Sequence, residues 1–150
     1  MHILRLIFIC TIVLGTLTHC KKTDDTILTT GSQTDLLIAN NWRTVRVTNL
    51  DGVEINRSRL NLSTQVLYDL NMQFRNNGTV RALDPRQSNS VINAGTWTLS
   101  TDNQSIDVVV TGFSGNFPIV QLSKTKLVLR QRAPVDGQNA DINLEFEPML

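Results

Sequence analysis

From Trp42 onward the chain alternates apolar and polar side chains with a period of two, interrupted by Gly, Asn, Asp and Pro. That rhythm is the mark of half-buried strands joined by turns. The clearest run, Val66-Leu67-Tyr68-Asp69-Leu70-Asn71-Met72-Gln73-Phe74-Arg75, predicts one strand. Val66, Tyr68, Leu70, Met72 and Phe74 would share its inner face. Asn76-Asn77-Gly78 then predicts a hairpin, because Asn-Gly tolerates positive φ, and Thr79 to Leu83 returns until Asp84-Pro85. Further strands are predicted at Trp42 to Thr48, Ala94 to Leu99, Ile106 to Val110, Phe117 to Leu122, Thr125 to Arg130 and Ile142 to Phe146. That makes eight, with a doubtful ninth near Val53 to Asn56, loops at 84–93 and 112–116, and a longer loop over 133–140. One apolar face per strand and short connections predict an all-β, antiparallel, up-and-down eight-stranded barrel, since closure removes exposed edges. A two-sheet sandwich satisfies the same alternation.

The first residues follow a different pattern. Met1 to Arg5 carries one positive charge, and Leu6 to Leu17 is a mostly apolar stretch of twelve residues. This is the length of a signal-peptide core and short of a membrane span. Residues 21–34 are rich in Thr, Asp, Gly and Ser and read as a flexible tether. Asp35 would cap a short helical turn through Ile38 before the first strand.

Leu17-Thr18-His19-Cys20 resembles the lipobox of bacterial lipoproteins, although His19 stands where the pattern prefers a small residue. The resemblance implies a signal peptide over 1–19, acyl chains on Cys20 as the membrane contact, a tether over 20–34 and a folded domain over 35–150. Several acyl chains suffice for stable anchoring, each buried CH₂ contributing about 0.8 kcal/mol. It also implies a place in the bacterial cell envelope, on the outer membrane. Lys21-Lys22-Thr23-Asp24-Asp25 is similar to export signals for the cell surface, and Asp25-Thr26-Ile27 to a short O-glycosylation acceptor at Thr26. Both segments also read as ordinary solvated tether.

Composition narrows the chemistry. Both histidines (His2, His19) and both cysteines (Cys10, Cys20) lie at or before the expected cleavage point. A processed chain would hold no histidine and one lipid-blocked thiol. His-dependent triads, Cys-His pairs and His/Cys zinc sites are therefore excluded from it. Arg5 is the only charge before Cys20, so its removal leaves thirteen basic residues against thirteen acidic ones. A neutral surface gives no electrostatic reason to expect nucleic acid. Asp102 and Asp136 fall in predicted turns, and no run of oxygens suits calcium. No enzyme, cofactor or metal is expected.

Asn41-Trp42-Arg43-Thr44-Val45, the hairpin Met72 to Val80, Ala94-Gly95-Thr96-Trp97-Thr98-Leu99 and Val120 to Leu129 together resemble the lipocalin-like domain of small bacterial lipoproteins. Asn40 stands where true lipocalins carry Gly, two residues before the first-strand Trp. The resemblance implies a barrel whose interior holds a small apolar or amphipathic molecule, with Tyr68, Leu70, Met72, Phe74 and Trp97 as lining. Trp42 would plug the closed end, and Trp97 reads equally as core packing. The alternative is a non-catalytic protein-interaction module with a filled core, acting through its loops. A cavity of several hundred cubic ångströms favours the first, and a solid interior beside an exposed apolar patch the second.

Overall fold

The computed structural model describes residues 30–149. The expected leader, Cys20 and Thr26 lie outside the described residues. Helix α1 (Thr30–Ile38) leads into eight strands: β1 (Asn41–Thr48), β2 (Asn71–Phe74), β3 (Thr79–Asp84), β4 (Ser90–Leu99), β5 (Ser105–Val110), β6 (Phe113–Leu122), β7 (Leu127–Val135) and β8 (Gln138–Met149). A short helix α2 (Leu62–Val66) lies in the connection between β1 and β2. All neighbours are antiparallel in sequence order, and β8 pairs back on β1 from Asn41↔Met149 to Thr48↔Asn143. That last pairing decides for the barrel against the sandwich.

The alternation was legible because inward positions face each other across successive strands. One inner row runs Phe74↔Val80↔Gly95↔Val110↔Phe113. Ile119↔Leu129↔Leu144↔Val47 forms another. Three strands each contain one unpaired extra residue, at Val45, Ile92 and Val120. Such bulges increase local bend and twist, as closing a sheet requires.

Several boundaries differ from the sequence reading. Residues 66–70 are not strand: α2 and a 3₁₀ turn at Leu67–Asp69 precede β2, which begins at Asn71. The Asn61 side chain accepts from the Thr64 N–H and caps α2, so the Val66-Tyr68-Leu70 alternation is coincidental. Leu67 enters the core while Val66 is 40% exposed. The expected loop over 133–140 is a β7–β8 hairpin tightened to Asp136-Gly137, whose φ values are +51° and +79°. Two consecutive positive φ angles match the twist of the flanking strands. Loops 84–93 and 112–116 shrink because β4 begins at Ser90 and β6 at Phe113. The doubtful ninth strand is a single bridge, Thr48↔Glu54. At the Asn76-Asn77-Gly78 turn only Gly78 takes positive φ. Helix α1 starts at Thr30, inside the segment read as tether.

Candidate functional site: the barrel mouth

The two ends of the barrel are built differently. At the end where β1 starts, α1 contacts β2 and β6. Leu37 and Trp42 are fully buried there, and the Trp42 indole N–H donates to the Leu37 carbonyl at 2.9 Å. Trp42 thus plugs this end, as its place on the first strand implied. Beside the plug lies an open polar cleft of about 670 Å³ that includes Asn41, Gln73, Arg75 and Arg81.

The opposite end is covered by the β1–β2 connection. Leu60 bridges Val135, the Arg59 carbonyl accepts the Asp136 N–H at 2.8 Å, and Arg59 pairs with Asp136 at 2.7 Å. These contacts pin the connection to the β7–β8 hairpin. Ile55, Leu60, Leu67 and Leu70 are buried beneath it. Leu67 descends far enough to join Met72, Phe74, Val108, Phe117 and Phe146 around the barrel axis, where about 10 Å³ remains free. That is about the least that holds one water. The interior is a packed core.

Space opens instead at the rim. Between α2 and the ends of β3 to β5 lies an apolar cleft of about 320 Å³, at the small end of the range for ligand sites. Leu70 and Met72 line it together with Ala82 and Val110, and Leu62 and Val66 border it from α2. Ile92, the bulged residue of β4, lines it too and is half exposed. Bulges commonly re-aim a side chain in this way.

The five residues expected to line one interior cavity are thus divided. Leu70 and Met72 line the rim cleft, while Met72 and Phe74 border the filled axis. Tyr68 sits on the 3₁₀ turn, partly buried, with the Arg57 guanidinium 5.0 Å from its ring. Burial pushes its hydroxyl pKa up. Trp97 is a core fastener: its indole N–H donates to the Arg75 carbonyl at 3.0 Å, and its ring meets Phe74 edge-on at 5.4 Å. Neither Tyr68 nor Trp97 borders the cleft. Sequence reasoning missed Leu62, Ile92 and Phe113. Asn61 as a helix cap, with Leu62 and Val66 four residues apart, was the available signal for the first. No local pattern marks Ile92, whose direction depends on a register shift between strands.

No protein-family model and no curated protein matches the chain. Among solved structures it is similar to a lipocalin-like protein from Bacteroides uniformis ATCC 8492, with 14% identity and a TM-score of 0.49 over 75% of this chain and 98% of that one. Eight antiparallel strands closed in sequence order make the chain an up-and-down barrel, the architecture that lipocalins also have.

Proposed function

We propose that this is a non-catalytic, lipid-anchored protein of the bacterial cell envelope that binds a small apolar or amphipathic molecule at its barrel mouth. The apolar cleft bordered by Leu62, Val66, Leu70, Met72 and Ile92 carries the reading. Leu62 and Ile92 are 75% and 50% exposed, and covering such a surface with a ligand removes apolar area from water. Anchoring through Cys20 rests on the Leu17-to-Cys20 motif and its apolar leader.

Native mass spectrometry of the chain taken from its own host tests the binding half. A co-purifying small molecule is expected, and a bare mass in repeated preparations would overturn it. Envelope fractionation tests the anchor: Cys20→Ser should move the chain to the soluble fraction, and retention in the membrane would end that argument.

The filled axis favours a second reading, a protein-interaction module working through the same rim. A protein subunit of defined mass in those native spectra, with no small molecule, would select it.

A further inference from the structure

At the end away from the mouth, the polar cleft beside the Trp42 plug is built for a different chemistry. Its floor is the outer face of three paired strands. Asn41 of β1 stands opposite Gln73 of β2, and Gln73 opposite Arg81 of β3. Arg75, two residues beyond Gln73, lies on the same face as the diagonal neighbour of Arg81. Diagonal pairs are roughly 7–8 Å apart, within reach of two long side chains. The end of α1 and Met149 of β8 complete a hollow of about 670 Å³.

Its charge is one-sided. Arg46, Arg57, Arg59, Arg86 and Lys126 each have a carboxylate within ion-pair distance. Arg75 and Arg81 have none among the described residues, and no described Asp or Glu lines the cleft. The C-terminal end of α1 sets about half a negative charge against two full positive ones. Like charges on neighbouring strands repel, and an anion between the two guanidinium groups would relieve that repulsion. Amides surround them. Gln73 donates to the Asn41 side-chain oxygen at 3.0 Å, which leaves the Asn41 amide N–H groups to donate, and Asn76 adds another amide to the lining.

We propose that this cleft binds a phosphate group, held by Arg75 and Arg81 with a further hydrogen bond from Asn41. A guanidinium presents a planar fork of donors that matches phosphate oxygens. A phosphate monoester carries about −1.5 to −2 charges at neutral pH, enough to balance both cations. A carboxylate balances only one. The hollow is larger than one phosphate, so the group would arrive on a bigger molecule. Two sources share this chemistry, a soluble phosphate ester and a phospholipid head group. The site is separate from the apolar cleft at the mouth and does not depend on it. Only the lipid source rests on the Cys20 anchor, which would bring the α1 end of the barrel toward head groups.

NMR of the full chain with isotope-labelled arginine, held in phosphatidylcholine nanodiscs, tests it. Inorganic phosphate should shift the Arg75 and Arg81 Nε–H signals together and saturably. Arg57 and Arg59, already held by carboxylates, should not respond. Arg75→Gln or Arg81→Gln should weaken phosphate binding about tenfold or more, the loss of a charge-assisted hydrogen bond. Arg75 is exposed and Arg81 partly so, and neither substitution should lower the urea midpoint, since each removes a like-charge repulsion. Nanodiscs that include phosphatidic acid, with no phosphate added, should produce the same shifts if a lipid is the source. Shifts with free phosphate alone would assign a soluble ester. No saturable shift from either probe, or equal shifts at Arg57 and Arg59, would overturn the site. A chain that stays outside the discs would count against the anchor, and the phosphate titration in solution would still decide the site.

Discussion

At Gly95, a missing side chain lets two strands approach more closely than any other residue would permit. A Cβ there would lie 1.9 Å from the Val109 carbonyl oxygen and 2.9 Å from a Val110 methyl. The obstruction is backbone, so no rotamer change relieves it. Gly95→Ala should therefore destabilise the fold by about 3 kcal/mol, the upper part of the usual range for overpacking, read as a lower urea midpoint. The alternation placed Gly95 on the inner face with Trp97, and the structure agrees. That a carbonyl of β5 would occupy its Cβ position was invisible, because the distance depends on the register Gly95↔Val110. Phe74 and Trp97 were likewise legible as inward residues. Whether they faced a ligand or one another was not, since that depends on the volume left between strands.

At the scale of elements, the β1–β2 connection decides what kind of mouth this barrel has. Its helix is only Leu62–Val66 and cannot persist on propensity alone. It is held by the Asn61 cap, by the Gln65 side chain donating to the Leu60 carbonyl at 2.7 Å, and by the Leu60 bridge to Val135. Asn61→Ala should cost about 1 kcal/mol, typical of a lost N-cap. Hydrogen exchange should localise the effect: amides of residues 62–70 would open faster while those of β7 and β8 keep their protection. Two competing signals overlapped in this segment. A five-residue helix and a false alternation share Val66, and the longer pattern predicts a strand there. Strands elsewhere were easier because each period-two run was bounded by turn residues. The β7–β8 hairpin runs longer than the alternation predicts for a related reason: Pro134 looks like a breaker, yet it pairs in register with Asn139.

At the scale of the whole molecule, closure brings β1, β7 and β8 together, and one carboxylate ties them. Glu145 on β8 pairs with Arg46 of β1 at 2.9 Å and with Lys126, just before β7, at 2.7 Å. The Thr48 hydroxyl donates to it at 3.3 Å. Burial pushes its pKa up, but hydrogen bonds from Lys126 and Arg46 outweigh that and hold it below the ordinary glutamate value. A pKa lower in the folded than in the unfolded chain stabilises fully above the unfolded value. The contribution fades as pH falls and is gone below the folded value. Urea unfolding from neutral pH into the acid range should show this decline, and Glu145→Gln should lack its share of the slope. High salt should reduce the difference, since the Arg46 side chain is 44% exposed. The sequence placed Glu145 on the outer face of the closing strand, where a solvated carboxylate is the ordinary outcome. Its partners come from distant positions that only the closed barrel unites.

What the sequence determined by itself was local and periodic: eight strands, most of their inward residues, the Gly78 turn, and an apolar stretch shortly before Cys20. Such features depend on neighbours within a few residues, so the covalent order contains them. Tertiary structure alone decided that the ends join, that Leu67 fills the axis, and that a bulge turns Ile92 toward the rim. Each of those is a matter of volume or register between segments far apart in the chain. A period-two pattern gives the direction of a side chain and is silent about how much room it will find.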